Sequence, residues 1–193
     1  MENKEVVIEV GGYHGLGVEA HVANGYKNIH VFEPIKDFYT KCQEKFSDIS
    51  TIKLNNLALW IVEEDRECIV NRDATSFFIE NGRKEMVKTT TLLKYLEENK
   101  IDHVDFLQIN CEGSEWALMR YILDNKLDEK VSRIRVQYHP QLKDKVSHYE
   151  DIETQLDDFI KRGWKRDMTP DHMWWNIYRE AYGPIPDGEI RQG

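Results

Sequence analysis

The sequence predicts an α/β fold, a doubly wound and mostly parallel sheet of about seven strands with an antiparallel hairpin at its C-terminal edge. Three observations predict it. Strand-like and helix-like segments alternate from residue 5 to residue 139, and such alternation builds parallel strands joined by right-handed helical crossovers. A glycine-rich turn follows the first strand-like segment. The chain then finishes on two strand-like segments with no helix between them, as an antiparallel hairpin requires.

Hydrophobic periodicity places the elements in order. In the first half, Gly25 ends one helix, and Phe38, Cys42 and Phe46 share one side of the next. The segment 61–90 indicates short β-strands rather than a core helix. The predicted strands are 5–10, 28–32, 50–60, 103–110, 131–139, 164–168 and 173–180, and the predicted helices are 16–25, 35–46, 91–100, 114–125 and 149–162.

Length and composition predict one globular domain over residues 1–182. Apolar residues make up 40% of the chain, which is enough for one core, and no apolar run is long enough to cross a membrane. The tail 183–193 has turn residues and few apolar ones, so we expect it to be loose. The net charge of −9 argues against a duplex nucleic-acid partner, because phosphate binding needs a basic face.

The cysteine, histidine and N-terminal patterns predict a reduced, cytoplasmic protein without a metal site. Cys42, Cys68 and Cys111 are odd in number and form no CxxC pair, as expected of free thiols in a reducing compartment. No signal peptide is visible at the N-terminus. The histidines show no zinc-binding spacing.

The segment VIEVGGYHGLGVEAHVANGYKNIHVFEP, residues 7–34, is predicted as a strand, a glycine turn, a helix and a second strand. A dinucleotide motif would place its glycines here so that a pyrophosphate sits on the helix N-terminus. In this chain Glu9 stands before Gly11, and a carboxylate beside a pyrophosphate is repulsive. The same carboxylate favours a cationic ligand, and S-adenosylmethionine carries a sulfonium, an ammonium and no phosphate. Plain turn glycines are the simpler alternative.

Glu33 strengthens the case for an adenosine cofactor. It ends the second predicted strand, where an acid can accept hydrogen bonds from both ribose hydroxyls. Pro34 then begins the next helix, a usual position for proline. Because the carboxyl ends of parallel strands meet at one rim, we expect Glu9, Glu33 and Asn110 to lie together there. NAD is the alternative ligand, and an oxidoreductase the function that goes with it.

Five segments, EVGGYHG, FEP, NLAL (56–59), VKTTTLLKYL (87–96) and VDFLQINCEGSEWALMR (104–120), follow one another along the chain. In their order, which spans residues 5–140, the chain resembles the FkbM-type methyltransferases. The resemblance implies the class I, Rossmann-like methyltransferase fold and S-adenosylmethionine as the cofactor. It also implies methylation of a hydroxyl oxygen on a sugar or another small hydroxylated compound.

The resemblance also assigns residues to the cofactor and to the motif of the fourth family strand. It puts Asn56 beside the adenosine. His14, on the glycine turn, lines the methionine end of the cofactor or faces solvent. The expected cofactor-binding residues are Glu9, Gly11, Gly12, Tyr13, His14, Gly15, Glu33, Pro34 and Asn56, and the fourth-strand motif is Gln108, Asn110, Glu112, Gly113 and Glu115.

Three departures from the family pattern bear on activity. Tyr13 stands where the family usually has asparagine. Gln108 and Asn110 stand where it usually has a lysine and an aspartate, so the two charges are lost together and local neutrality is kept. The first strand begins near residue 5, which leaves no N-terminal helix to cover the pocket. Water must then be excluded by a partner subunit, by a later loop or not at all.

An alcohol acceptor needs a base within hydrogen-bond reach of its hydroxyl. We expect His139 or Glu112 to be that base, since both follow strands whose carboxyl ends form the rim. Asn110 cannot act as a base, so we expect it to orient the acceptor or the ammonium of the cofactor. Two simpler interpretations stay open: Glu115 complements the helix dipole, and His139 is a local turn residue.

Two main functions remain. The first is an S-adenosylmethionine-dependent O-methyltransferase that acts on a small hydroxylated acceptor. The second is a non-catalytic cofactor-binding or interaction module on the same fold, which the Gln108 and Asn110 departures favour. The aromatic segment HMWWNIY (172–178) is interpreted as an ordinary core edge strand, with a substrate wall or the surface of a homodimer as the alternatives.

Overall fold

The computed structural model describes residues 6–71, 74–146, 149–169 and 173–184, which form two sheets and five α-helices. The strands are β1 (Val6–Val10), β2 (Asn28–Phe32), β3 (Ile52–Asn55), β4 (Ala58–Leu59), β5 (Asp65–Asn71), β6 (Ala74–Ser76), β7 (Arg83–Thr90), β8 (Val104–Ile109), β9 (Val131–Val136), β10 (Trp164–Met168) and β11 (Trp175–Arg179). The helices are α1 (Leu16–Ala23), α2 (Lys36–Phe46), α3 (Leu92–Glu98), α4 (Glu115–Asp124) and α5 (Ile152–Lys161).

The larger sheet has seven strands in the order β10-β11-β9-β8-β1-β2-β3. Neighbouring strands from β9 to β3 are parallel, whereas β11 runs antiparallel to both β9 and β10. The predicted doubly wound fold with an antiparallel C-terminal hairpin is therefore confirmed. Within the hairpin, β10 forms the edge and β11 lies inside, so most of the aromatic segment expected at the edge belongs to an inner strand.

The elements have lengths close to those predicted, and β2 matches its predicted range. β9 ends at Val136 rather than at residue 139, because a 3₁₀ turn begins at Pro140 and proline cannot donate to a sheet ladder. Among the helices of the described ranges, none combines the length and the apolarity that crossing a bilayer requires. Most of the predicted loose tail, residues 185–193, lies outside the described residues.

The strand β1 shows how the larger sheet is covered on both faces. Alternate residues of a strand point to opposite faces. Ile8 packs in the main core with α3, α4 and α5, whereas Val7 packs in a second cluster with α1 and α2. The apolar side predicted for α2, formed by Phe38, Cys42 and Phe46, is buried as expected.

The smaller sheet has the strand order β4-β7-β5-β6 and comes from the segment in which short β-strands were predicted. β5 pairs antiparallel with β6 and β7, and β4 pairs parallel with β7. The sheet is attached to the start of α2, where the Lys36 N–H donates to Glu85 Oε1 at 2.9 Å. We name these four strands the roof sheet, because they close a cavity over the carboxyl ends of the larger sheet.

The contact between α5 and β10 can be tested at Phe159. Its ring is fully buried and meets Trp164 edge-to-face, with ring centroids 5.6 Å apart. We expect Phe159→Ala to lower the free energy of unfolding by about 3–5 kcal/mol, because it leaves a cavity in a packed core. Ile160→Ala, one position along but 39% exposed, is the matched control and should cost less than about 1 kcal/mol. Urea denaturation measures both, and equal losses would contradict the assignment.

Candidate functional site

A cavity of about 260 Å³ lies at the carboxyl ends of β1, β2 and β8. The glycine turn after β1 and the end of β2 form its walls, the loop after β8 its floor, and the roof sheet its top. This is the position at which doubly wound sheets bind ligands. Of the predicted site residues, Glu9, Gly11, Gly12, Tyr13, His14, Glu33, Pro34, Asn110 and Glu112 line the cavity, whereas Gly15, Asn56 and His139 do not.

The glycine turn is pressed against both neighbouring strands. The backbone N–H groups of Gly11 and Gly12 both donate to the carbonyl oxygen of Phe32, at 3.0 and 3.1 Å. Gly11 has a φ of +95°, and a Cβ there would lie 2.0 Å from the carbonyl oxygen of Asn110. Only glycine fits this contact, so packing between β1, β2 and β8 requires it independently of any ligand.

Glu9 reaches the cavity wall, but both of its oxygens are already bonded inside the protein. Oε1 accepts a hydrogen bond from Gln108 Nε2 at 3.0 Å, and Oε2 pairs with His21 Nε2 at 2.7 Å. Gly17 in α1 is required beside it, since a Cβ there would lie 2.5 Å from Glu9 Oε1. Glu9 therefore joins β8 and α1 to the turn. The sequence did not reveal His21 as its partner, because no motif links a strand acid to a helix histidine.

Glu33 is buried at the end of β2 and is held by backbone donors. The N–H groups of Tyr13 and Ile35 donate to its two oxygens, both at 2.8 Å. Burial raises the pKa of Glu33 to about 7, although these two hydrogen bonds act in the opposite direction. Each carboxylate oxygen keeps a second lone pair. Glu33 can therefore shape the glycine turn and still accept two hydroxyl groups from a ligand in the cavity.

Tyr13 adopts a left-handed backbone conformation, with a φ of +43°, that is unfavourable for a large side chain. Its ring stacks on His14 with centroids 3.9 Å apart and meets Phe38 edge-on at 4.8 Å. Tyr13 and His14 both line the cavity, so His14 does not face solvent alone. Strained backbone at a cavity wall is typical of functional segments.

Gly15 and Asn56 support the cavity from behind. Gly15 has a φ of +81° and packs on the Phe46 ring, where a Cβ would lie 2.4 Å from Cε2. Asn56 Nδ2 donates to the carbonyl oxygens of Glu33 and Pro34 at 3.0 and 2.8 Å. The resemblance put both residues at the cofactor. The structure instead places them against the segments that line the cavity.

The loop after β8 folds around the carboxylate of Glu115, the first residue of α4. Oε1 accepts from the Cys111 N–H at 3.1 Å and Oε2 from the Gly113 N–H at 2.7 Å. The side chain is fully buried, so these bonds satisfy an acid that water cannot reach. Glu115 therefore organises its own loop and does more than complement the helix dipole. The loop presents Glu112 to the cavity.

His139 links two carboxylates beneath the cavity floor. Its Nδ1 lies 2.7 Å from Glu115 Oε1, and its Nε2 lies 3.2 Å from Glu112 Oε1. A neutral imidazole has one N–H, so donating to both acids requires the protonated ring. Burial lowers the pKa of His139, but the hydrogen bonds to Glu112 and Glu115 outweigh it and raise the pKa to about 10. A protonated ring cannot accept a proton, so this geometry argues against His139 as a base and favours Glu112.

Asn110 lies beside Glu112 in the lining of the cavity. Its Oδ1 is buried and has no hydrogen-bond partner among the described residues. A primary amide can both donate and accept hydrogen bonds, and it is neutral at every physiological pH. Asn110 can therefore orient a polar ligand group without changing the charge of the floor.

The roof sheet supplies the cover that the sequence left unassigned. Ala58, Leu59, Cys68, Ser76 and Phe77 line the cavity from β4, β5, β6 and the segment after β6. A later part of the chain therefore covers the site, which was one of the three alternatives considered. Residue types gave no signal of this role, because short strands become a cavity wall only when they fold back over another sheet.

The cavity lining is acidic. It carries the carboxylates of Glu9, Glu33 and Glu112, and no lysine or arginine is among its described residues. Such a lining complements a sulfonium or an ammonium and repels a pyrophosphate. Burial raises the pKa of the Cys68 thiol to about 12 and that of Cys111 well above its usual value, so both thiols are neutral. Within the described ranges, no three side chains are grouped as metal ligands.

Comparison with known proteins identifies both family and fold. Residues 9–162 match the family model of the Methyltransferase FkbM domain. No curated protein sequence matches the chain.

The fold is similar to that of several solved methyltransferase structures. One is the METTL16 MTase domain, with a TM-score of 0.54, 11% identity and coverage of 92% of this chain and 60% of that chain. A second is the human methyltransferase 10 domain containing protein, with a TM-score of 0.51, 11% identity and coverage of 92% and 72%. A third is an rRNA methylase from Streptococcus thermophilus, with a TM-score of 0.50, 12% identity and coverage of 93% and 89%. The chain thus spans about three fifths of the METTL16 structures, 60% and 61% in two of them.

Gly11→Ala and Gly25→Ala separate backbone strain from the contact at the turn. Both glycines have positive φ, +95° and +81°, but nothing lies within 4 Å of a Cβ at Gly25. We expect Gly25→Ala to cost about 1 kcal/mol of stability, and Gly11→Ala at least about twice that, because its methyl meets the Asn110 carbonyl. Gly11→Ala should also weaken binding of S-adenosylhomocysteine. Denaturation and calorimetry measure the two effects, and equal behaviour of the variants would reject the contact as the reason.

Proposed function

Because the chain belongs to the FkbM methyltransferase family, we propose that it transfers the methyl group of S-adenosylmethionine to a hydroxyl oxygen of a small, uncharged acceptor such as a sugar. The family makes the chain a methyltransferase domain and implies S-adenosylmethionine as its methyl donor. One observation carries the proposed chemistry. Glu112 presents a carboxylate to the cavity floor, and the charged ring of His139 orients that carboxylate from below.

The residues of the cavity fit this cofactor. Glu33 keeps one lone pair on each oxygen for the two ribose hydroxyls, and the glycine turn allows a ligand to approach the backbone closely. The acidic lining complements the sulfonium and the ammonium. The Asn110 amide would bind at the amino-acid end of the cofactor or orient the acceptor. When bound, the cofactor supplies an electrophilic methyl group.

The chain's own residues would then position the acceptor and remove its proton. Glu112 would accept the hydroxyl proton as the acceptor oxygen bonds to carbon. His139 keeps the carboxylate of Glu112 oriented, and Glu115 keeps the ring of His139 in place; neither has to touch the acceptor. The roof sheet would exclude water, which competes with the acceptor and weakens electrostatic interactions. Positioning of this kind accounts for a large part of catalysis in transfer reactions.

The charge of the lining bears on the acceptor class. A phosphate group beside Glu112 would be repelled, and no described lysine or arginine of the lining would offset that repulsion. One structure of similar fold is an rRNA methylase. The net charge of −9 and the acidic cavity nevertheless favour an uncharged acceptor over a nucleic acid for this chain.

A cofactor-binding module without turnover is the second candidate. The neutral residues Gln108 and Asn110, where the family usually has charges, favour it. An NAD-dependent oxidoreductase is not supported, because a pyrophosphate would face the acidic wall. A cytoplasmic location, a homodimer and a single domain over residues 1–182 stay predictions from the sequence.

A pooled acceptor screen tests the proposed function. Its three pools contain uncharged sugars and polyols, the phosphate esters of the same compounds, and short RNA oligomers. Release of S-adenosylhomocysteine and incorporation of labelled methyl are measured together. We expect turnover with the uncharged pool. A preference for phosphate esters or RNA would reject the acceptor class, and no turnover in any pool with cofactor binding intact would favour the module.

Glu112→Gln tests the base with an acceptor from that screen. The amide keeps the size of the side chain but cannot accept the proton, so we expect turnover to fall by about 10²–10⁴-fold. The Kd for S-adenosylhomocysteine should stay within about twofold, because Glu112 serves the acceptor. Glu129→Gln, an exposed position outside the cavity, is the matched control. Equal turnover in the two variants would remove Glu112 from the proposed mechanism.

Cofactor affinity should depend on pH through Glu33. Ribose hydroxyls donate most strongly to the ionised carboxylate, and burial raises the pKa of Glu33 to about 7. Below pH 7 binding must therefore release a proton, so the Kd for S-adenosylhomocysteine should rise by up to about tenfold per pH unit as the pH falls. Glu33→Gln cannot titrate and should bind more weakly with a flat profile. Calorimetry from pH 5.5 to 8.5 decides, and a flat wild-type profile would contradict this role.

A further inference from the structure

We infer that Ser76, in the roof sheet, is a positioning residue for methyl transfer, whose hydroxyl fixes the backbone of Glu112 so that the Glu112 carboxylate stays on the cavity floor. The inference rests on the role proposed above for Glu112. It joins the cover of the cavity to the base beneath it. The joining contact is a hydrogen bond of 2.5 Å from Ser76 Oγ to the Glu112 carbonyl oxygen.

The peptide unit between Glu112 and Gly113 is held at both of its ends. These two residues form a turn with successive left-handed conformations, with φ of +48° and +103°. Glutamate seldom adopts this conformation, so neighbouring contacts must maintain it. At one end of the peptide, the Gly113 N–H donates to Glu115 Oε2 at 2.7 Å. At the other end, the Glu112 carbonyl accepts the proton of Ser76, and the peptide plane therefore cannot rotate without breaking a bond.

The Ser76 hydroxyl is committed to this bond. A hydroxyl has one proton, and its lone pairs here accept the N–H of Phe78 at 3.0 Å. Ser76 is 2% exposed, so water has no access to replace it. Phe78 reinforces the contact between roof and floor, since a Cβ on Gly113 would lie 2.9 Å from its ring.

The position of β6 makes this contact matter. β6 is a three-residue edge strand that pairs with β5 alone. Ser76 is its last residue, and its hydroxyl is bonded to the floor. Loss of the hydroxyl would free the Glu112–Gly113 peptide to rotate and would move the Glu112 side chain away from His139. A hydroxyl that served only to close the turn at Phe78 would leave that side chain in place.

His139 reports which of these roles is correct. Its Nε2 lies 3.2 Å from Glu112 Oε1, so its titration is sensitive to the position of that carboxylate. NMR titration of His139 in the full chain with S-adenosylhomocysteine present measures it. Glu112→Gln should lower the pKa of His139 and sets the full scale of the effect. We expect Ser76→Ala to lower it by at least half of that scale, and Ser76→Thr, which keeps the hydroxyl, to restore the wild-type titration.

Each outcome bears on the inference. A folded Ser76→Ala variant that binds S-adenosylhomocysteine and titrates at His139 like wild type overturns it. If Ser76→Ala does not fold, Ser76→Cys replaces it, because a thiol is a weak donor of similar size. An unchanged His139 titration in that variant overturns the inference in the same way. The titration needs no acceptor, so an altered titration without methyl transfer to any acceptor would reject the proposed function and keep the link between Ser76 and Glu112.

Discussion

Carboxylates buried at the carboxyl ends of the larger sheet must each be supplied with hydrogen-bond donors, and this requirement shapes the site. Glu9 takes its donors from side chains of β8 and α1. Glu33 takes them from backbone N–H groups, so the glycine turn and the start of α2 curl toward it. Glu115 does the same for the loop after β8 and adds the charged ring of His139. The loops that line the cavity therefore cannot be separated from the acids beneath them.

The same requirement explains two strained backbone positions. Tyr13 and Glu112 both adopt left-handed conformations, with φ of +43° and +48°. In the first case the strained residue donates its own N–H to Glu33, and in the second the next residue donates to Glu115. The turn directs these N–H groups inward to a buried acid, while Tyr13 and Glu112 line the cavity. The hydrogen bonds to buried carboxylates offset the strain, and the strained residues form the walls of the site.

The order of strands and helices could be predicted because it follows local periodicity, and Glu33 could be placed because its position depends on the strand that it ends. The partners of the buried acids could not be predicted, because they come from distant parts of the chain. Gln108 and Glu9 are 99 positions apart, and no local pattern links them. His139 has the residue type of a base, yet the two carboxylates around it keep it protonated. The roof sheet likewise becomes part of the site only through tertiary folding.

The neutral side chain of Asn110 is part of the charge balance of the floor. Asn110 and Glu112 line the same cavity, and an aspartate in place of the amide would set a second carboxylate beside the first. Two carboxylates at close range raise each other's pKa, and both would compete for the single charged ring of His139. With an amide at this position, Glu112 shares that ring only with the buried acid below. The lining then has a separate task for each carboxylate: Glu9 is bonded within the protein, Glu33 faces the ribose position and Glu112 faces the acceptor.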